Sequence, residues 1–161
     1  MYLSKLSSIR EYEYKVFSSN DESEIKQLMI KIDKLRDEIS EGLIKNPVNM
    51  EYLIYESKSF MMFIVETINQ KELSLATTMY FISLIQKESG KYDCIKNENY
   101  CNAKNDVAMY GVNVLKEIKE KFKHAAINSS EDSIKIIKMI KYINFTLSEM
   151  ENELPKLAVE K

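Results

Sequence analysis

The sequence predicts an all-α protein, a bundle of seven or eight helices around one buried central helix, in a single domain spanning residues 1–161. Three observations predict it. Apolar residues recur at three- and four-residue spacings along most of the chain. Three Gly and two Pro leave little turn chemistry for a many-stranded protein. The stretch 72–87, ELSLATTMYFISLIQK, is apolar on nearly every side of a helix. Such a helix lies inside a protein or inside a membrane. Interrupted by Thr77, Thr78 and Ser83, it falls short of the roughly 20 apolar residues of a membrane span. It reads as the core helix on which the others pack.

The elements follow in order. Residues 2–17 set Tyr2, Leu6, Ile9, Tyr12 and Val16 on one helix face, and Ser18-Ser19-Asn20-Asp21 then offers N-caps. The next helix is the clearest: Ile25, Leu28, Met29, Ile32, Leu35 and Ile39 form a single stripe. Gly42 and Asn46-Pro47 end it. Met50, Leu53 and Ile54 predict two or three turns, and Glu56-Ser57-Lys58-Ser59 reads as a polar joint. Phe60, Met61, Phe63, Ile64 and Ile68 make a short apolar helix that leads through Asn69-Gln70-Lys71 into the central one.

From Ser89 to Asn102 the periodicity lapses, predicting a surface loop. From Ala103, the residues Val107, Gly111, Val114, Ile118 and Phe122 restore a helical stripe. Ile136, Ile140, Ile143 and Leu147 form the next, with Asn128-Ser129-Ser130 as its cap. A last turn or two runs through Leu154 until Pro155. There is no internal repeat and no low-complexity segment.

Composition excludes several classes. A net charge of −2 provides no field for nucleic acid or anionic lipid, and Arg10 and Arg36 are the only arginines. Nucleic acid is therefore not an expected partner. Nothing in the chain reads as a signal-peptide core or a membrane span. Cys94 and Cys101 either close one short loop in an oxidising compartment or stay reduced, and the second reading is the expectation for an intracellular protein.

A di-iron bundle needs Glu-x-x-His pairs from facing helices, and His124 is the only histidine. It is expected in solvent near a helix C-terminus. Three isolated glycines build no phosphate loop. The acidic residues read as solvated faces. No enzyme, no cofactor and no metal are expected. What remains is binding by shape, and methionines clustered around the short helices and the central one suit an adaptable apolar groove.

The run KSFMMFIVETINQKELSLATTMYFISLIQK, residues 58–87, resembles the Bcl-2-like apoptosis inhibitors of poxviruses. Leu73-Ser74-Leu75-Ala76-Thr77 is similar to the start of their central helix, and Ser57-Lys58-Ser59-Phe60 to the junction before it. The helix order fits over most of the chain. The resemblance implies a Bcl-2-like bundle with a hydrophobic groove for the amphipathic Bcl-homology-3 helix of host pro-apoptotic proteins such as Bak, Bax and Bim. That groove would be lined by Leu35, Ile39, Leu53, Ile54, Met61, Ile64, Val65, Ser74, Thr77 and Phe81. It also implies a viral anti-apoptotic role in the host cytoplasm or at the mitochondrial outer membrane, as a monomer or a homodimer.

Two departures stand out. Leu73-Ser74 replaces the Gly-Arg that pairs with the ligand's Asp, so that pair is either supplied by another residue, Lys71 being the candidate, or missing. The hydrophobic anchor that usually ends the family is not found in this chain. Other poxviral Bcl-2-like proteins lack an open groove and block innate signalling towards NF-κB through surface contacts. Burial of Met61, Thr77 and Phe81 under neighbouring helices is the sign of that kind. A helical adaptor of unrelated origin is the third reading, and a peripheral central helix would be its sign.

Overall fold

The computed structural model describes residues 2–43, 49–92, 101–128 and 133–159. Among the described residues the protein is entirely helical: α1 (Tyr2–Ser18), α2 (Glu22–Leu43), α3 (Met50–Gln70), α4 (Leu75–Ser89), α5 (Cys101–Asn128) and α6 (Ser133–Val159). The helices pair as two hairpins, α1 on α2 and α5 on α6. Between them, α3 and α4 pack on each other and on α5.

The helix ends follow from local chemistry. Asp21 caps α2, its carboxylate accepting from the Ser23 and Glu24 N–H groups at 3.0 and 3.4 Å. Glu22 and Glu24 in the first turn suit the helix dipole. Ser74 caps α4, its hydroxyl accepting from the Thr77 N–H at 3.3 Å. Lys71 donates through Nζ to the Phe17 carbonyl at 2.7 Å, satisfying an acceptor near the end of α1.

Among the described residues six helices stand where seven or eight were expected in the chain, and the two short helices expected over 50–68 are one continuous α3. No Gly or Pro interrupts that segment, and Glu56, Ser57 and Lys58 of the expected joint all find partners within the bundle. Glu56 and Ser57 point inward, while Lys58 reaches out to Asp106 of α5 at 2.8 Å. Gly42 lies within α2 rather than stopping it, and Asn46-Pro47 falls outside the described residues. At the other end, α6 continues past Pro155 to Val159 rather than ending there. Cys101, expected as a free thiol, is disulfide-bonded; Cys94 lies outside the described residues.

The expected core helix corresponds to α4. It packs on α3, α5 and α6, and it reaches α2 through Lys87, which donates to Asp33 at 2.9 Å and to Asp37 at 2.8 Å. Phe81, Ile82, Leu84 and Ile85 are buried on it, whereas Ala76 and Lys87 face solvent. Gly111 sets how closely α5 approaches: a β-carbon there would fall on the Ser89 hydroxyl and meet the Met150 terminal methyl at 3.2 Å.

Candidate functional site

The expected groove residues converge, but in the interior. Met61, Ile64 and Phe81 are completely buried, and Ile39, Leu53, Val65 and Thr77 are nearly so. Leu35 and Ile54 are half-buried against the same core. Ser74 alone is exposed, as the α4 cap.

A charged seam lies between α2 and the α3–α4 layer. Arg36 of α2 donates through Nη2 to Glu88 Oε1 of α4 at 2.8 Å, and its Nη1 is 3.5 Å from Glu56 Oε2 of α3. Its guanidinium also covers the Phe60 ring, 4.3 Å from the centroid. The Ser57 hydroxyl donates to Glu88 Oε1 at 2.7 Å and lies 2.9 Å from the Tyr92 hydroxyl. Tyr92 itself donates to the Leu53 carbonyl at 3.0 Å. From α1, Arg10 donates to Glu56 Oε1 at 3.1 Å. The seam thus joins four helices through groups that are almost all buried.

Electrostatics follow from that geometry. Burial pushes the Glu88 carboxyl upward, but the Arg36 and Lys91 charges outweigh it and hold it below its ordinary value. Burial lowers Lys91, an effect that its neighbour Glu88 only partly offsets. Burial drives the Tyr92 hydroxyl up to about 12. Glu56 and Glu88 therefore correct the expectation that acidic residues mark solvated faces.

These residues were missed, yet the sequence carried a signal. Arg36 follows Ile32 by four positions and precedes Ile39 by three, so it lies on the apolar stripe of α2. Glu56 relates in the same way to Leu53 and Phe60, and Glu88 to Leu84 and Ile85. A charge on an apolar stripe needs a buried partner.

No exposed nucleophile–base pair emerges from this arrangement. Every charge is matched inside the bundle, so the seam holds helices together. Lys71, the proposed substitute for the ligand-pairing Arg, is bonded to α1. The start of α4 is also covered, because the Glu22 carboxylate accepts the Ser74 N–H. His124 is exposed. Among the described residues no group of three or more His, Cys, Asp or Glu side chains is placed to hold a metal ion, and no helix is long and apolar enough to cross a membrane.

The outer surface carries two apolar features. A cleft of ≈ 490 Å³ runs between α1, α3 and α5, with Phe17, Met62, Phe63 and Tyr110 on its walls. Tyr55 on its edge is 66% exposed. On α6, Ile134, Ile137 and Phe145 are 71%, 50% and 63% open to solvent, with the exposed Lys138 and Lys141 between the last two. Compared with known proteins, the chain matches no family model, no curated sequence and no solved structure.

Proposed function

We propose that the protein is a non-enzymatic Bcl-2-like interaction protein of the groove-less kind, a viral inhibitor that restrains host innate signalling towards NF-κB through its outer helix faces. The observation that carries this reading is the closure of Met61, Thr77 and Phe81 beneath neighbouring helices. The Arg36–Glu88 contact binds α2 to α4 across the region where a ligand helix would lie. Supporting it are the place of α4 among α2, α3, α5 and α6, and the exposed apolar residues of α3 and α6. On this reading α3 stands for two short helices of the family, and the protein works in the host cytoplasm.

The second reading keeps an internal groove for the helices of Bak, Bax or Bim. In its favour, Leu35, Ile39, Leu53, Ile54, Met61, Ile64, Val65, Thr77 and Phe81 do gather in one core. It requires α2 to leave α4 and the Arg36 contacts to break.

An NF-κB reporter in mammalian cells, stimulated through an innate receptor, tests the proposal. The protein should suppress the reporter, and Tyr55→Ala with Met62→Ala, or Ile134→Asp with Phe145→Asp, should relieve that suppression in a folded variant. An unchanged reporter in cells that the protein protects from Bak- or Bax-driven death would contradict it.

A further inference from the structure

A small cavity of ≈ 10 Å³ lies where α1, α2 and α3 meet. Ile9 and Ile39 wall it on one side, and Arg36, Ser40, Tyr52 and Glu56 line the other. Two of those side chains carry a buried atom with no hydrogen-bond partner, Arg36 Nε and the Tyr52 hydroxyl, and the nearby Glu56 carboxylate bears on the second. The other Arg36 nitrogens are committed, Nη1 to Glu56 and Nη2 to Glu88. Arg36 is 7% exposed, so bulk solvent does not serve its remaining N–H. A buried donor left without an acceptor bears its full desolvation cost, and native interiors rarely contain one.

We propose that this cavity is a binding site for one structural water molecule, which accepts from the Arg36 Nε–H and bridges it to the Tyr52 hydroxyl. Three features select this ligand. The volume matches a single water and excludes sulfate, acetate or any organic group. Both unpartnered atoms belong to side chains that line one space, and Ser40 and Glu56 add further polar partners to complete the two to four hydrogen bonds that a buried water makes. Charge does not call for a halide of similar size, because the Arg36 guanidinium in the lining is already matched by the Glu56 and Glu88 carboxylates. The water gives the α1/α2 hairpin and α3 a shared hydrogen-bonding centre. It supplies an acceptor for Nε, so that each of the three Arg36 nitrogens has a partner inside the bundle.

The chain has only two arginines, Arg10 and Arg36, so protein labelled with ¹⁵N-arginine gives a simple Nε–H spectrum that Arg10→Lys assigns. Water-selective NOE and ROE spectra are expected to show a cross-peak of long-lived water at the Arg36 Nε–H. In Tyr52→Phe, verified as folded by circular dichroism, that cross-peak should weaken and the Tm should fall. A crystal structure should place one water about 2.7–3.2 Å from both atoms. Absence of the cross-peak with a Tm that rises in Tyr52→Phe would mean the hydroxyl was simply unpaired, and would overturn the proposal. A bromide anomalous peak in the cavity, from crystals grown in sodium bromide, would overturn it in favour of an anion.

Discussion

Arg36 and Glu88, far apart in sequence, meet in the interior at 2.8 Å and tie α2 to α4. Both side chains are more than nine-tenths buried. A buried pair of this kind is worth little against an apolar replacement, whereas removing one partner strands the other charge. Arg36→Ala is therefore expected to cost about 3–5 kcal/mol in urea unfolding. Arg36→Met combined with Glu88→Leu should cost much less than the sum of the single changes, because the two sites share the contact.

The same pair sets the acid response. Glu88 has a folded value below its ordinary 4.5, since the Arg36 and Lys91 charges overcome the effect of burial. Its contribution is present in full above the unfolded value and is lost as pH falls through the folded one. Chemical denaturation from pH 7 downwards should show stability declining below about pH 4.5, and Glu88→Gln should flatten that decline.

Tyr92 governs the alkaline side. Its hydroxyl is raised from 10.0 to about 12, so its stabilisation is complete below 10.0 and disappears as pH rises through the folded value. Lys91, lowered from 10.5, acts in the opposite sense, whereas Tyr52, Tyr80 and Lys87 are all raised and add to the alkaline loss. Unfolding followed above pH 10 should lose stability with rising pH more steeply for the wild type than for Tyr92→Phe.

Gly111→Ala raises helix propensity but places a methyl group on the Ser89 hydroxyl, which is held by the Ile85 carbonyl at 2.7 Å. A destabilisation of about 1–3 kcal/mol is expected, as for an overpacked core. Adding Ser89→Gly should recover part of it in thermal unfolding.

Adjacent methionines separate interior from surface. Met61 is completely buried, and Met61→Ala should cost about 2–5 kcal/mol. Met62 faces the α1–α3–α5 cleft, and Met62→Ala should stay within about 0.5 kcal/mol of the wild type. Paired denaturant titrations check both.

Much of this architecture was legible in the chain. The stripe from Ile25 to Ile39, the Asp21 cap and the apolar run of α4 follow from periodicity and capping chemistry alone. The helix break at Glu56-Ser57-Lys58-Ser59 was misread because polarity was taken for exposure, whereas Glu56 and Ser57 are polar and buried. Periodicity reports which side of a helix faces inward. It is silent on whether a charge on that side will find a partner from a helix far away in sequence, as Arg36 finds Glu88. For the same reason nine of the ten groove positions lie in or against the core, with Ser74 outside as the α4 cap, and their burial depended on pairings that no local pattern encodes.

The most direct test of the closed interior is a calorimetric titration of the folded protein with peptides spanning the Bcl-homology-3 helices of Bak, Bax and Bim, alongside controls with Ala at the central ligand Leu. A closed bundle predicts no heat of binding from any peptide. Submicromolar binding abolished by that Ala would show that α2 yields to a ligand helix, and would contradict the account.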